Sequence, residues 1–146
     1  PLDITPMAPD QVYGSCLDSL LSDPSIGAAI VGVVPHTPSL KSLPPGIDDS
    51  GQDSLDNPHS LHQLLPQIVE RHQKPVVTVV DAGRGYDALA EALNRRGLPC
   101  FRSADSALRY FQLYLNWHSP GVSSRGRGVA PTEGSLGTTR NAKRHS

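Results

Sequence analysis

The segment Gly83-Arg-Gly85-Tyr-Asp-Ala88 follows the apolar run VVTVV (76–80) and opens a helical pattern. Glycines in that place leave backbone N–H groups bare at a helix N-terminus, where they attract phosphate. The spacing fits G-x-G-x-x-[G/A], and Asp105 lies about twenty residues on, as a ribose-binding acid would. Two features oppose dinucleotide binding. Asp81 would set a negative charge beside the phosphate, and Asp105 falls inside a helix beyond the strand end. The expected role of the turn is packing against a neighbouring domain. Asp81, at a strand's carboxyl end, is the best-placed polar residue, and its bland role is to cap the turn that follows. Gly83, Gly85 and Asp81 are therefore the candidate cofactor-binding residues.

His36 sits just past the end of an earlier apolar run, where ligands gather in open α/β sheets. A phosphohistidine there would need a Gly-rich cradle. The segment Val34-Pro-His-Thr-Pro offers two prolines instead, which remove N–H donors. His59 and His62 have the i, i+3 spacing of one helix face. No Cys or carboxylate clearly completes a metal set with them, so they read as surface histidines. Cys16 and Cys100 are the two cysteines of the chain, too few for a disulfide scaffold. Both have apolar neighbours and read as small hydrophobes in a reducing, cytoplasmic compartment. No catalytic residue and no metal ligand is assigned.

These residues need elements to hold them. Pro9 and Asp10 suit the first turn of a helix, in which Val12, Cys16, Leu17, Leu20 and Leu21 make an apolar stripe. Asp23-Pro24 stops it. Ala28–Val34 is a continuous apolar run, as in a parallel strand buried on both faces. Residues 36–56 lack periodicity and read as a mobile surface loop. Asn57-Pro58 reads as a helix start, followed by Leu61, Leu64, Leu65, Ile68 and Val69 at helical spacing, with Pro66 inside. Val76–Val80 is a second buried strand. A helix follows over Tyr86–Arg96, with Gly97 as its left-handed cap. Residues 99–102 form a short third strand. Ser103 caps a last helix in which Ala104, Ala107, Leu108, Phe111 and Leu115 face inward. Tyr110, Tyr114 and Trp117 add aromatic surface near the end of that helix, suited equally to an interdomain contact and to partial core burial.

The 146 residues are one domain's worth. Helices alternating with strands mean a parallel α/β sheet with right-handed crossovers. Three strands are few for such a sheet, and one or two more are expected upstream of Pro1. The formal net charge of −1 hides an asymmetry. Residues 1–118 carry eight Lys/Arg against thirteen Asp/Glu, and residues 119–146 carry five against one. An acidic body is a poor nucleic-acid binder. The tail at 119–146, rich in Gly, Ser, Arg and Thr, is expected to be disordered. No run approaches the ~20 apolar residues of a membrane span.

In order along residues 1 to about 117, several segments resemble one family. They are Pro1-Leu-Asp-Ile-Thr-Pro-Met-Ala, the helix ending Leu20-Leu-Ser-Asp-Pro-Ser-Ile, and Ala28-Ala-Ile-Val-Gly-Val-Val-Pro. Lys74-Pro-Val-Val-Thr-Val-Val-Asp and Gly97-Leu-Pro-Cys-Phe-Arg-Ser-Ala-Asp-Ser-Ala follow. The ordered set is similar to the second half of the flavodoxin-like CoA-ligase domain of the succinyl-CoA synthetase superfamily. The ADP-forming acetyl-CoA synthetase branch is the nearest.

The resemblance implies a parent enzyme that makes acyl-CoA from an acid, CoA and ATP, releasing ADP and phosphate through a phosphohistidine. CoA, ATP/ADP and Mg would serve that parent. The partners would be its CoA-binding and ATP-grasp domains or subunits. The family's phosphohistidine and its helix clamp have no counterpart here, so residues 1–118 are expected to be structural and inactive alone. Two other readings remain open. A ligase-like domain can regulate a protein lysine acetyltransferase, and a small flavodoxin-like module could bind a nucleotide at the Gly83/Gly85 turn.

Overall fold

The computed structural model describes residues 1–35, 37–44, 46 and 54–118. The expected disordered tail at 119–146 lies outside them. Helices and strands alternate as α1 (Asp10–Ser22), β1 (Ala29–Val33), α2 (Leu61–His72), β2 (Val76–Val80), α3 (Asp87–Arg95), β3 (Cys100–Phe101) and α4 (Ala104–His118). One 3₁₀ turn, Arg84–Tyr86, precedes α3.

The β-branched run of β2 takes the centre of a parallel sheet of order β1-β2-β3. Its register sets Ala29 beside Val76, Val33 beside Val80, and Thr78 beside Cys100. All five residues of β2 are buried, as a strand covered on both faces requires. Val76 and Val80, with Val33, pack into the main core together with Tyr13, Leu17, Leu61, Leu65, Leu89 and Leu93. Val77 and Val79 face the other way, onto Ala107, Phe101 and Phe111. The sheet thus carries α1, α2 and α3 on one face and α4 on the other.

Several boundaries follow from local chemistry. The α3 helix ends in a Schellman motif: Leu98 N–H donates to Leu93 C=O (3.1 Å) and Gly97 N–H to Asn94 C=O (3.0 Å). Gly97 adopts φ +78°, the left-handed conformation expected of it. Ser103 Oγ accepts the Ser106 N–H (3.3 Å), so it caps α4 as expected. Lys74 Nζ donates to the carbonyls of Leu21 and Asp23 (2.7 Å each), placing a cation at the negative end of α1.

Other expectations are corrected. The β1 strand is not buried on both faces. Ile30 is 40% and Val34 52% exposed, because β1 is an edge strand and α4 does not reach across it. The core stripe of α1 is rotated to Tyr13, Leu17 and Leu21, leaving Val12 and Leu20 outward. Tyr13 wins the inward place because its ring fills the core while its hydroxyl reaches the Val34 backbone. Gly14 then lies against α2, where an added Cβ would come 3.4 Å from Ile68 Cδ1. The α2 helix starts at Leu61 rather than Pro58. Asn57 Oδ1 accepts the His59 N–H (3.0 Å) in a turn before it. In α4 only Ala107 is fully buried, and Leu108 (54%) and Leu115 (45%) are exposed. A fifteen-residue helix overhangs the two-residue β3 beneath it.

Candidate functional site

The carboxyl ends of β1 and β2 are where an open parallel sheet offers its chemistry. Two segments meet there. Residues 34–35 and 37–44 follow β1, and residues 81–86 follow β2. An open cleft of about 270 Å³ lies between them, walled by Pro35, Thr37, Leu40, Ser42, Leu43 and Tyr86. Its polar groups are few. Ser42 Oγ donates to Pro35 C=O (3.0 Å), and Thr37 Oγ1 is buried without a hydrogen-bond partner among the described residues. The cleft lining contains no charged side chain among the described residues, so it suits a neutral group rather than a phosphate. His36, a candidate of the sequence analysis, lies outside the described residues.

On the β2 side the cleft is walled by Tyr86, which ends the Gly83/Gly85 turn. Gly83 has φ −64° and ψ 173°, which any residue adopts. A Cβ at either glycine would meet nothing within 4 Å. A 3₁₀ turn, rather than the first turn of α3, follows Gly83, and Asp87 occupies the first turn of α3. Arg102 reaches back from beyond β3, donating to the carbonyls of Ala82 and Gly83 and pairing with Asp87 at 3.2 Å. The turn's own carbonyls and carboxylate therefore hold the nearby cation. Asp81 is exposed, and no hydrogen bond from its carboxylate to the turn is present among the described residues. Asp105 is exposed in the first turn of α4. The structure places Gly83, Gly85 and Asp81 at one sheet end, but it does not draw them into a phosphate cradle.

The histidines part company. His59 is exposed and precedes α2, so the two share no helix face. His62 is buried, which corrects its reading as a surface residue. Its Nδ1 lies 2.9 Å from Ser60 Oγ and its Nε2 3.0 Å from Gln63 Nε2. Burial, reinforced by Arg96 and Arg95, holds its pKa below the ordinary value. Ser60 is fully buried, so this serine–histidine pair meets no substrate. Cys100 is half-buried, and burial pushes its thiol pKa up, away from a reactive thiolate. The described residues contain no group of three or more His, Cys, Asp or Glu arranged to hold a metal.

Sequence reasoning missed the long-range role of Asp10. It is fully buried, and Oδ1 accepts the Leu61 N–H at 2.8 Å. Oδ2 accepts the Lys41 N–H (3.1 Å) and lies 3.6 Å from Lys41 Nζ. One carboxylate thus begins α1, caps α2 from outside and holds the cleft loop. A second polar seam joins the same two helices, where Asp18 Oδ1 meets His72 Nε2 (2.7 Å) and Arg71 Nη1 (2.9 Å). The His72 hydrogen bond is the main cause of Asp18's lowered pKa.

No protein-family model, no curated protein and no solved structure shows a significant match to the chain.

Proposed function

We propose that residues 1–118 are the second half of a flavodoxin-like domain in an NDP-forming acyl-CoA ligase, with a structural rather than a catalytic role. The observation that carries this is the distribution of helices about the sheet. In a flavodoxin-like sheet of order 2-1-3-4-5, the right-handed crossovers into strands 3, 4 and 5 all run one way. They place three helices on one face. The crossover from strand 1 to strand 2 runs the other way, so its helix lies on the opposite face beside the last helix. The helices α1 to α3 and α4 distribute in this manner. The side chains of Ile30 and Val34 lie uncovered where the other helix would sit.

The ligase itself is supported by the ordered sequence segments, above all Pro1-Leu-Asp-Ile-Thr and Gly97-Leu-Pro-Cys-Phe-Arg-Ser-Ala. In this role β1 extends a sheet supplied by the rest of the ligase. CoA, the nucleotide, Mg and the phosphohistidine belong to those other parts, and α4 docks against them. The cleft at the strand ends faces that assembly.

The reading frame or neighbouring genes around the coding sequence test the proposal. A Gly-rich strand–turn–helix, together with CoA-binding and ATP-grasp segments, is expected there. An acetyltransferase segment would favour the regulatory reading instead, and a frame with neither would sink both. A phosphate-release assay on the chain alone, with acyl-CoA, phosphate and ADP, should be blank.

A further inference from the structure

We propose that His62 is the latch of an acid-sensitive joint: taking up a proton, it releases the turn at 54–61 and loosens the wall of the cleft at the strand ends. The contacts around the imidazole form one consistent set for the neutral ring. Ser60 Oγ donates to Leu55 C=O (3.3 Å), so it is free to accept from Nδ1–H. Nε2 then keeps its lone pair for the Gln63 amide N–H. A second proton on Nε2 would set donor against donor until the Gln63 amide turned over, which breaks the present contact. It would also place a charge in a buried site two residues into α2, at the positive end of the helix dipole.

The surroundings do not rescue that charge. Arg96, just past the end of α3, and Arg95, its last residue, repel it. Asp56 in the preceding turn and Asp10 of α1 attract it less, and Asp10 already serves Leu61 and Lys41. His62 therefore binds its proton more weakly in the closed form than in the open one. The closed form is fully favoured above the ordinary histidine pKa. It loses ground as pH falls below that value, until the depressed pKa has been passed. Each unit between the two pKa values changes the opening equilibrium about tenfold.

The latch connects to the cleft through backbone. Ser60 holds Leu55, and Leu55 N–H donates to Leu43 C=O at 2.9 Å. Leu43 also bridges to Ser54 and walls the cleft with Leu40 and Ser42. Release of residues 54–61 leaves that wall on its other tethers, the contacts of Lys41 with Asp10 and the Ser42 hydroxyl bond to Pro35 C=O.

Histidine-resolved NMR on the full chain, with amide exchange expressed as protection factors, tests the latch. From about pH 8 to about pH 5, protection over residues 54–64 should fall several-fold in step with His62 protonation, while β2 keeps its protection. His62→Gln should abolish that pH dependence. The exposed pair Arg95→Gln/Arg96→Gln should raise the His62 pKa and shrink the loss of protection, and it keeps the test available should His62→Gln fail to fold. Protection that stays flat in the wild type, or a loss that persists in His62→Gln, would overturn the proposal.

Discussion

Asp10 shows how much one side chain can hold when its partners are backbone N–H groups. A carboxylate without access to water keeps its place only if its oxygens are satisfied, and here they meet Leu61, Lys41 N–H and the Lys41 ammonium. Replacing it with alanine strands the buried Leu61 N–H and the half-buried Lys41 N–H and frees the start of α2. Asp10→Ala should cost about 3–5 kcal/mol in urea unfolding. Asp10→Asn, which keeps one acceptor oxygen, should cost about 1–2 kcal/mol. Equal losses would mean that one acceptor oxygen of the same shape rescues nothing, and that the charge facing Lys41 rather than the capping of α2 holds the joint. None of this was legible in the sequence. Leu61 lies 51 residues from Asp10 and Lys41 lies 31 away, and the only local signal, an acid in the first turn of a helix, explains α1 alone. His62 escaped for a related reason: i, i+3 spacing with His59 says which face a histidine takes only if both residues are helical, and His59 is not.

At the scale of elements, local rules and tertiary context divide the outcome. Runs such as VVTVV announce a strand by composition, and Gly97 and Ser103 announce helix ends by their own chemistry. Such features were legible because their causes lie within a few residues. The rotation of α1 was not, since it depends on Tyr13 reaching Val34 and on Gly14 meeting Ile68, both long-range events. The glycines separate two kinds of motif. Gly97 sits at positive φ, so Gly97→Ala should destabilise by about 1 kcal/mol or more. Gly83 and Gly85 have ordinary surroundings and open space. Gly83→Ala and Gly85→Ala should leave thermal stability unchanged or raise it by up to about 1 kcal/mol, through a stiffer unfolded chain. A large loss at Gly85 would revive a close-approach role for that turn and, with it, the nucleotide-binding reading.

The whole molecule is an asymmetric slab, and its asymmetry carries the functional proposal. One sheet face is closed by three helices, while the other holds α4 over β2 and β3 and leaves β1 open. Apolar side chains are exposed on both elements: Ile30 on β1 and Val34 just after it, and Leu108 and Leu115 on α4. Trp117, 84% exposed near the end of the helix, lies on the opposite flank of α4, the side of Tyr110. In sequence these positions look like core, because an apolar residue at regular spacing signals a buried face whether the covering element lies in this chain or in another. Their cost to mutate distinguishes the cases. Val77→Ala, within the closed part, should lose about 1–3 kcal/mol. Ile30→Thr and Leu108→Gln should each change the stability of the isolated chain by less than about 0.5 kcal/mol. If the open face is the seat of the remaining ligase elements, the same two changes should weaken co-purification with them by at least about tenfold in apparent affinity. Substitutions that destabilise the isolated chain as strongly as Val77→Ala would show instead that the face is already closed within it, and the half-sheet proposal would fall.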